Sequence, residues 1–427
     1  MPIFKSMHHA GPESSFSRRG TVYVVVLATV AMVTAIGLTT LAAQRVQRRL
    51  IESSNDAAQA RLYAQSAAEI GLLSATNTAT WRSQIASGGW VSSQAIGDGT
   101  FSLTAVDPVD GDLTDSLLDP VVVTGVAVRG QAQQMSEVTL EVHLEPVTSL
   151  ESTIHAGNDV LLDSIVVDGG GVISANNAID ANSSEINMDV EAVGLVTGGN
   201  FNAAQATGVL PKTMPDATVF DYYVGVGTLL PRRAISRQSG RRVFEAMVLS
   251  PTENPYSSDL NAEGIYVVNC SNGDFVIRNC RIVGTLVLLD ADSVTIESSV
   301  YWEPAIENYP SLLLRGDATF AIGTSPLKEN TDGVNFNPVG TPFNGMEDSD
   351  LYDAYPSELN GLFYVTGSAD SMNSPTIHGV VLVGVTFSAK GGLNLEHSTI
   401  FHDNPPPGFF GAGPFRVAAQ GWRRAVN

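Results

Sequence analysis

The sequence predicts a mainly β protein carried on an amino-terminal α-helical membrane anchor, and three observations predict it. Residues 21–43 hold no charged side chain. Residues 137–144 alternate polar and apolar side chains with the period of a half-buried strand. Beyond residue 150, short apolar runs separated by Gly, Asn and Asp recur about every 8 to 12 residues with no helical pattern between them. The composition agrees: 40 glycines beside only 16% charged and 7% aromatic residues suit short strands and many turns. At 427 residues the chain has room for two or three domains.

Residues 1–20, MPIFKSMHHAGPESSFSRRG, are polar, broken by Gly and Pro, and read as a cytoplasmic tail. His8 and His9 stand together without further ligands and make no metal site. The apolar span has Thr21 and Ala43 as its ends, with Arg18 and Arg19 before it and Arg45, Arg48 and Arg49 after it. At about 1.5 Å per residue a helix of that length reaches roughly 35 Å, enough to cross a hydrocarbon core of about 30 Å. A core helix rarely stays apolar all round for so long, and the apolar region of a cleaved secretory signal is shorter, about 7 to 15 residues. Residues 44–80 are rich in Ala, Gln, Arg, Leu and Glu, with no proline and one glycine, Gly71, so the helix continues as a stalk to about residue 75. Leu50, Ile51, Ala58, Leu62, Ile70 and Leu73 supply an apolar stripe for a partner domain or another subunit.

Residues 88–146 form a small β module. Val138, Leu140, Val142 and Leu144 fall on one face of a strand and Glu137, Thr139, Glu141 and His143 on the other. FSLTAV (101–106) and VVVTGVAV (121–128) are its partners in an antiparallel meander. Between those two strands, Asp110, Asp112 and Asp115 with Gly111 suggest a calcium loop at first glance. Their spacing does not fit the calcium-hand pattern, so an acidic turn is expected.

Residues 150–427 form the large β domain. Stretches such as DFVIRNCRIVGTLVLLDADSVTIESSV (274–300) read as stacked coils with Val, Ile and Leu inward and Asn, Asp and Gly at the corners. The expected architecture is an irregular right-handed parallel β-helix, with a β-sandwich as the alternative. Cys270 and Cys280 sit in similar hexamers, IYVVNC and FVIRNC, as a candidate disulfide or as two small apolar residues of the core. Tyr301, Trp302 and Tyr309, in VYWEPAIENYP, are candidate binding aromatics for sugar or protein, unless they simply pack. PPPGFF (405–410) is expected to cover the open end of the solenoid, and the final GWRRAVN to be frayed.

Two stretches resemble known families. Arg19-Gly20, the long apolar span and the closing ARLYAQSAAEIGL, with Ala67, Ala68, Glu69, Gly71 and Leu72 in the family's last pattern, resemble the amino-terminal segment of PilX-type minor pilins and related type IV pilin-like proteins. That resemblance covers about 60 residues. It implies a candidate processing site between Gly20 and Thr21, a single pass through the bacterial inner membrane with the bulk of the chain outside the cytoplasm, and pilin-like or envelope proteins as partners. The chain departs from major pilins at the fifth mature position, where Val25 replaces a glutamate that offsets a neighbour's terminal ammonium. Further on, IRNCRIVGTLVLLDADSVTIESSVYWEPAIENYPSLLL, VNFNP, AYPSELNGLFYV, HGVVLVGVTFS and NPPPGF, over residues 264–410, resemble an uncharacterised envelope domain that follows pilin-like anchors in bacterial, notably planctomycete-like, proteins. This second resemblance implies location and architecture, with no chemistry.

Charge narrows the functions. The chain carries a formal net charge of −21, and beyond Arg61 it holds 23 − 7 = 16 basic and 44 − 3 = 41 acidic residues. Such a surface repels nucleic acid and anionic lipid, so no nucleic-acid partner is expected. No cofactor or metal is expected, and no enzyme: there is no nucleophile elbow, no metalloprotease helix and no phosphate-binding loop with its lysine. IVVDGGGVIS, with Asp168, is faintly similar to a strand-turn of pectin-cleaving hydrolases, but their paired aspartates, Gly-His-Gly turn and Arg-x-Lys site are missing. His155, His378, His397 and His402 are each isolated in sequence. The expected function is a membrane-anchored structural or accessory protein of a type IV pilus-like assembly or secretion system. The alternative is a membrane-tethered carbohydrate-binding or polysaccharide-degrading β-helix.

Overall fold

The structure is a computed structural model that describes residues 18–78, 81–85, 89–116 and 118–425. The expected tail lies almost wholly outside the described residues. The protein is mainly β with one long apolar helix, and it divides into two compact units: Met1–His143 with Pro414–Asn427, and Leu144–Gly413. The large unit is therefore inserted in sequence ahead of the last strand of the small one.

In the small unit, helix α1 (Arg18–Asn77) runs 60 residues. An antiparallel sheet follows, of β1 (Gly89–Ile96), β2 (Gly99–Val106), β3 (Val121–Arg129) and β4 (Ala132–Pro146), closed on its far side by the final strand Phe410–Ala425. The meander expected from the alternation is present, although the apolar face of β4 fades: Val138 and Leu140 are fully buried, but Leu144 is 48% exposed. The final strand corrects the expectation of a frayed terminus. Arg424 Nη2 donates to Gln134 Oε1 at 3.3 Å, and strand structure persists to Ala425, with residues 426–427 outside the described set.

The helix meets its sheet through its smallest residues, so the expected apolar stripe does not serve a partner domain within this chain. Ala60, Ala64, Ala67, Ala68 and Ala75 are buried, while Leu50, Ile51, Leu62, Ile70 and Leu73 remain exposed. Spacings of three and four residues put the alanines and Gly71 on one face. Small side chains let two backbones approach where large ones hold them apart. Gly125 of β3 completes the contact: a Cβ there would lie 2.3 Å from the carbonyl oxygen of Ala64 and 2.9 Å from the nitrogen of Ala68.

In the large unit, short strands stack in parallel, and one residue from each makes a continuous apolar ladder. Gln205 lies beside Val190, then Ile173, Ile154, Val381, Phe363, Leu312, Leu286, Tyr266 and Thr228. All but the two end residues are buried. The order is not the order of the chain. It enters the ladder in the middle at Ile154, builds to one end by Gln205, crosses over residues 208–227 to the opposite end at Thr228, and returns to the middle at Val381. Two 19-residue strands, Ile265–Val283 and Thr285–Glu303, bend round corners, aided by left-handed backbone at Ser271, Asn272 and Asn279. One antiparallel hairpin, Ser236–Gln238 with Arg241–Leu249, borders the Thr228 end.

A second apolar layer covers one outer face. Val147, Leu150, Val219, Phe220, Tyr223, Phe401 and Phe409 pack on Val267, Val287, Leu313, Leu362, Val380 and Leu382. PPPGFF thus covers this face through Phe409 and not the end of the stack, because its aromatic ring finds apolar side chains there, including Tyr364. A long excursion, residues 323–357, is held by two buried charges. Arg281, 1% exposed, donates from Nη1 to the carbonyls of Phe336 (2.8 Å) and Thr341 (2.9 Å), and from Nη2 to Pro342 O (2.7 Å) and Glu303 Oε1 (2.9 Å). Glu329, fully buried, accepts from the Phe336 amide, the Asp353 amide and the Tyr355 hydroxyl.

Cys270 and Cys280 are free buried thiols on the same long strand, so the bridge considered from the sequence is not formed. Both side chains belong to the ladder core, and Cys280 lies opposite Met247 and Val300. Burial pushes the Cys270 thiol up to about 12 and Cys280 higher still, which keeps both protonated.

Candidate functional site

Every residue of α1 from 22 to 55 is exposed. Val22, Leu27, Val33, Leu38 and Leu41 are each 58–69% exposed. Threonine hydroxyls within this apolar surface bond back to the helix itself. Thr29 donates to Val25 O (3.0 Å), Thr34 to Val30 O (2.8 Å) and Thr40 to Ile36 O (2.8 Å). From residue 22 onward the span's described threonines therefore present no unpaired hydroxyl donor to their surroundings, as an apolar medium demands. The helix is long and apolar enough to cross a membrane. Gly20 and Thr21 lie in its first turn, and Val25 is exposed beyond them.

The candidate aromatics do not form a platform. Trp302 is wholly in the core, donating from Nε1 to Gly284 O at 3.1 Å and meeting Phe363 edge-on. Tyr301 is 8% exposed, its hydroxyl donating to Glu303 Oε2 and its ring edge-on to Phe343. Only Tyr309 reaches the surface, where its hydroxyl and that of Tyr222 are 3.0 Å apart.

The structure does bring together histidines that look isolated in sequence. Asn360, His378 and Glu396 occupy matching positions on three successive strands, Glu358–Val365, Thr376–Val383 and Leu393–His397. They line an open groove of about 340 Å³ together with Pro304, Glu307 and His397. His378 Nδ1 is 2.7 Å from Glu396 Oε2, and its Nε2 is 3.6 Å from Glu358 Oε2. Burial, reinforced by the charge of Lys212, lowers the pKa of His397. Such a groove, which Ser398 also lines, can hydrogen-bond a polyol, and His378 meets the carboxylates of Glu396 and Glu358 there. Asp168 accepts from Asn187 at 2.7 Å in a corner stack of polar side chains.

His155 lies opposite Ser174 in the ladder, and its Nδ1 is hydrogen-bonded to the Ser174 hydroxyl. A serine beside a histidine is the start of a nucleophilic site, but His155 is 0% and Ser174 2% exposed, out of reach of any substrate. Burial first, and Lys212 second, hold the imidazole at about 3. An unfolded histidine titrates near 6.5, so between those values the unfolded chain takes a proton that the native state refuses. His155 therefore removes stability as pH falls from about 6.5 towards 3, by up to about 1.4 kcal/mol per pH unit. Chemical denaturation at pH 6.5 and pH 5 should show the midpoint falling with pH, and His155→Gln should flatten that fall. An unchanged slope in the variant would show that His155 is not the source.

No family model matches the chain, and no curated protein matches it. Among solved structures, the competence-associated pilin ComZ from Thermus thermophilus aligns over 79% of this chain and 86% of that one, with 11% identity and a TM-score of 0.31. At that score the likeness transfers neither fold nor function.

Proposed function

We propose that the chain is a non-catalytic, single-pass membrane protein whose apolar helix anchors a structural or accessory unit of a type IV pilus-like assembly or secretion system. The observation that carries the reading is the long, uncharged and exposed apolar surface of α1, with the hydroxyls of Thr29, Thr34 and Thr40 bonded internally. The anchor sits in the bacterial inner membrane, with the acidic β units outside the cytoplasm. The large unit is a right-handed parallel β-helix, a reading supported by its parallel, in-register ladders. Leu50, Ile51, Leu62 and Leu73, left exposed by the alanine contact, offer a surface for pilin-like neighbours. Processing after Gly20 belongs to the same reading. A second reading, a tethered carbohydrate-binding β-helix, rests on the groove around His378 and Glu396.

Membrane fractionation tests the anchor. The full chain should stay in the pellet after a high-salt and alkaline wash and be released by detergent, whereas deletion of residues 1–43 should make it soluble. Protease added to spheroplasts should digest the β units, and the mass of the extracted protein reads the processing site. Release of the full chain by alkali alone would overturn the anchor.

A further inference from the structure

The loop between β2 and β3 reads DPVDGDLTDSLLDP from Asp107 to Pro120. It folds back so that carboxylate oxygens of Asp107, Asp115 and Asp119 lie within 4.8 Å of one another. Oxygens bound to one calcium ion at about 2.4 Å stand no more than about 4.8 Å apart, so the three fit a single coordination shell. Acids gathered on a surface are common without an ion. Asp107 is different because it is 2% exposed. Its Oδ1 accepts the Val109 amide at 2.7 Å, while its Oδ2, wholly buried, has no hydrogen-bond donor among the described residues. A buried carboxylate oxygen without a donor is costly, and a cation in contact with it removes the cost.

The surroundings set the charge. Arg82, from the helical turn Trp81–Gln84, donates to the carbonyls of Ser116 (2.7 Å) and Asp119 (2.6 Å), fixing the returning half of the loop. Its charge acts on Asp107, Asp119 and Asp115 in that order, and with the neighbouring Asp110 the four carboxylates and this guanidinium sum to −4 + 1 = −3, which leaves the site attractive to a divalent cation. Asp110 stands beside Asp115, whose carboxyl is raised by desolvation first and by Asp110 next. Asp112 faces elsewhere, accepting from the amide and hydroxyl of Thr114.

We propose that Asp107, Asp115 and Asp119 bind one calcium ion that ties the end of β2 to the start of β3. The donors are all hard carboxylate oxygens, with no His or Cys to favour a softer metal. An irregular loop suits calcium, which accepts six to eight ligands in flexible geometry, better than magnesium, which demands near-octahedral order. These are not the residues of the sequence-level calcium pattern: of that set only Asp115 takes part, and the loop's two ends supply the other ligands.

Calorimetric titration of the chelator-treated full chain in detergent tests this. With 44 acidic residues, diffuse calcium binding is expected everywhere, so the readout is the difference between wild type and variants. Wild type should show one saturable site per chain with Kd of about 10⁻⁴ to 10⁻³ M, as in extracellular modules. Asp107→Asn and Asp119→Asn should each weaken it at least about tenfold, and Asp112→Asn should leave it unchanged. Calcium should raise the melting temperature of wild type but not of Asp119→Asn, which is the decisive variant if Asp107→Asn fails to fold. Absence of a saturable site at about 10 mM calcium, or wild-type affinity in Asp119→Asn, would overturn the proposal.

Discussion

Replacing Arg281 with alanine should destabilise the large unit by about 3 to 5 kcal/mol, the usual cost of removing one partner from a buried charged network. The side chain is 1% exposed, and its loss leaves three carbonyls, those of Phe336, Thr341 and Pro342, and one oxygen of Glu303 without this donor. Arg281→Lys should recover little, because an ammonium cannot reproduce the planar fork that reaches four acceptors. The damage should start in the excursion over residues 323–357. Limited proteolysis of the variant should cut there before any other site in the unit, and the denaturation midpoint of the full chain should fall. An unchanged midpoint with an intact excursion would refute the assignment of Arg281 as its pin.

Gly125→Val should lift α1 off its sheet. Its Cβ would fall 2.3 Å from the Ala64 carbonyl oxygen, and since both sides of the contact are backbone, no side chain can rotate away. Overpacking costs about 1 to 3 kcal/mol, and this site belongs at the upper end of that range. Gly89→Ala is the control: a Cβ there meets nothing within 4 Å, so its effect should be near zero. Near-ultraviolet circular dichroism, which reports Trp81 stacked on Trp90 in the same core, should change in the first variant and not in the second. Equal melting temperatures for both variants would remove the close backbone approach as a determinant of the small unit.

What the sequence revealed, it revealed through local pattern. An uncharged span long enough for a helix needs no partner to be recognised, and the alternation in β4 identifies a half-buried strand directly. The face of the helix that meets the sheet was missed because a search for amphipathicity follows large apolar residues, whereas the contact uses Ala64, Ala67, Ala68 and Gly71. The last strand was hidden by the paired Arg423 and Arg424, which an edge position tolerates because one side of it faces water. Trp302 lies next to polar and proline neighbours that suggest a surface, yet it continues the inward series of Val294, Ile296 and Val300. The groups around the histidines were invisible for another reason. His155 meets Ser174 and His378 meets Glu396 across strands 19 and 18 residues apart, a separation that only the register of stacking defines. Asp107 became notable only once its burial was known.

Because the ladder begins at its own midpoint, its assembly cannot run from one end to the other as the chain is made. Ile154 needs Ile173, 19 residues away, on one side and Val381, 381 − 154 = 227 residues away, on the other. Closing the longer loop costs roughly 2 kcal/mol more in chain entropy, from (3/2)RT ln(227/19). Residues 154–207 emerge first during synthesis and can stack on one another, but their inner edge stays bare until residues 376–397 have been made. For that interval the nascent chain carries an open strand edge, the feature that invites association with other chains. The final joint is thus the slow, non-local step of folding. A chain ending before residue 376 would be left with two exposed edges in the middle of its core, not merely with a shorter stack.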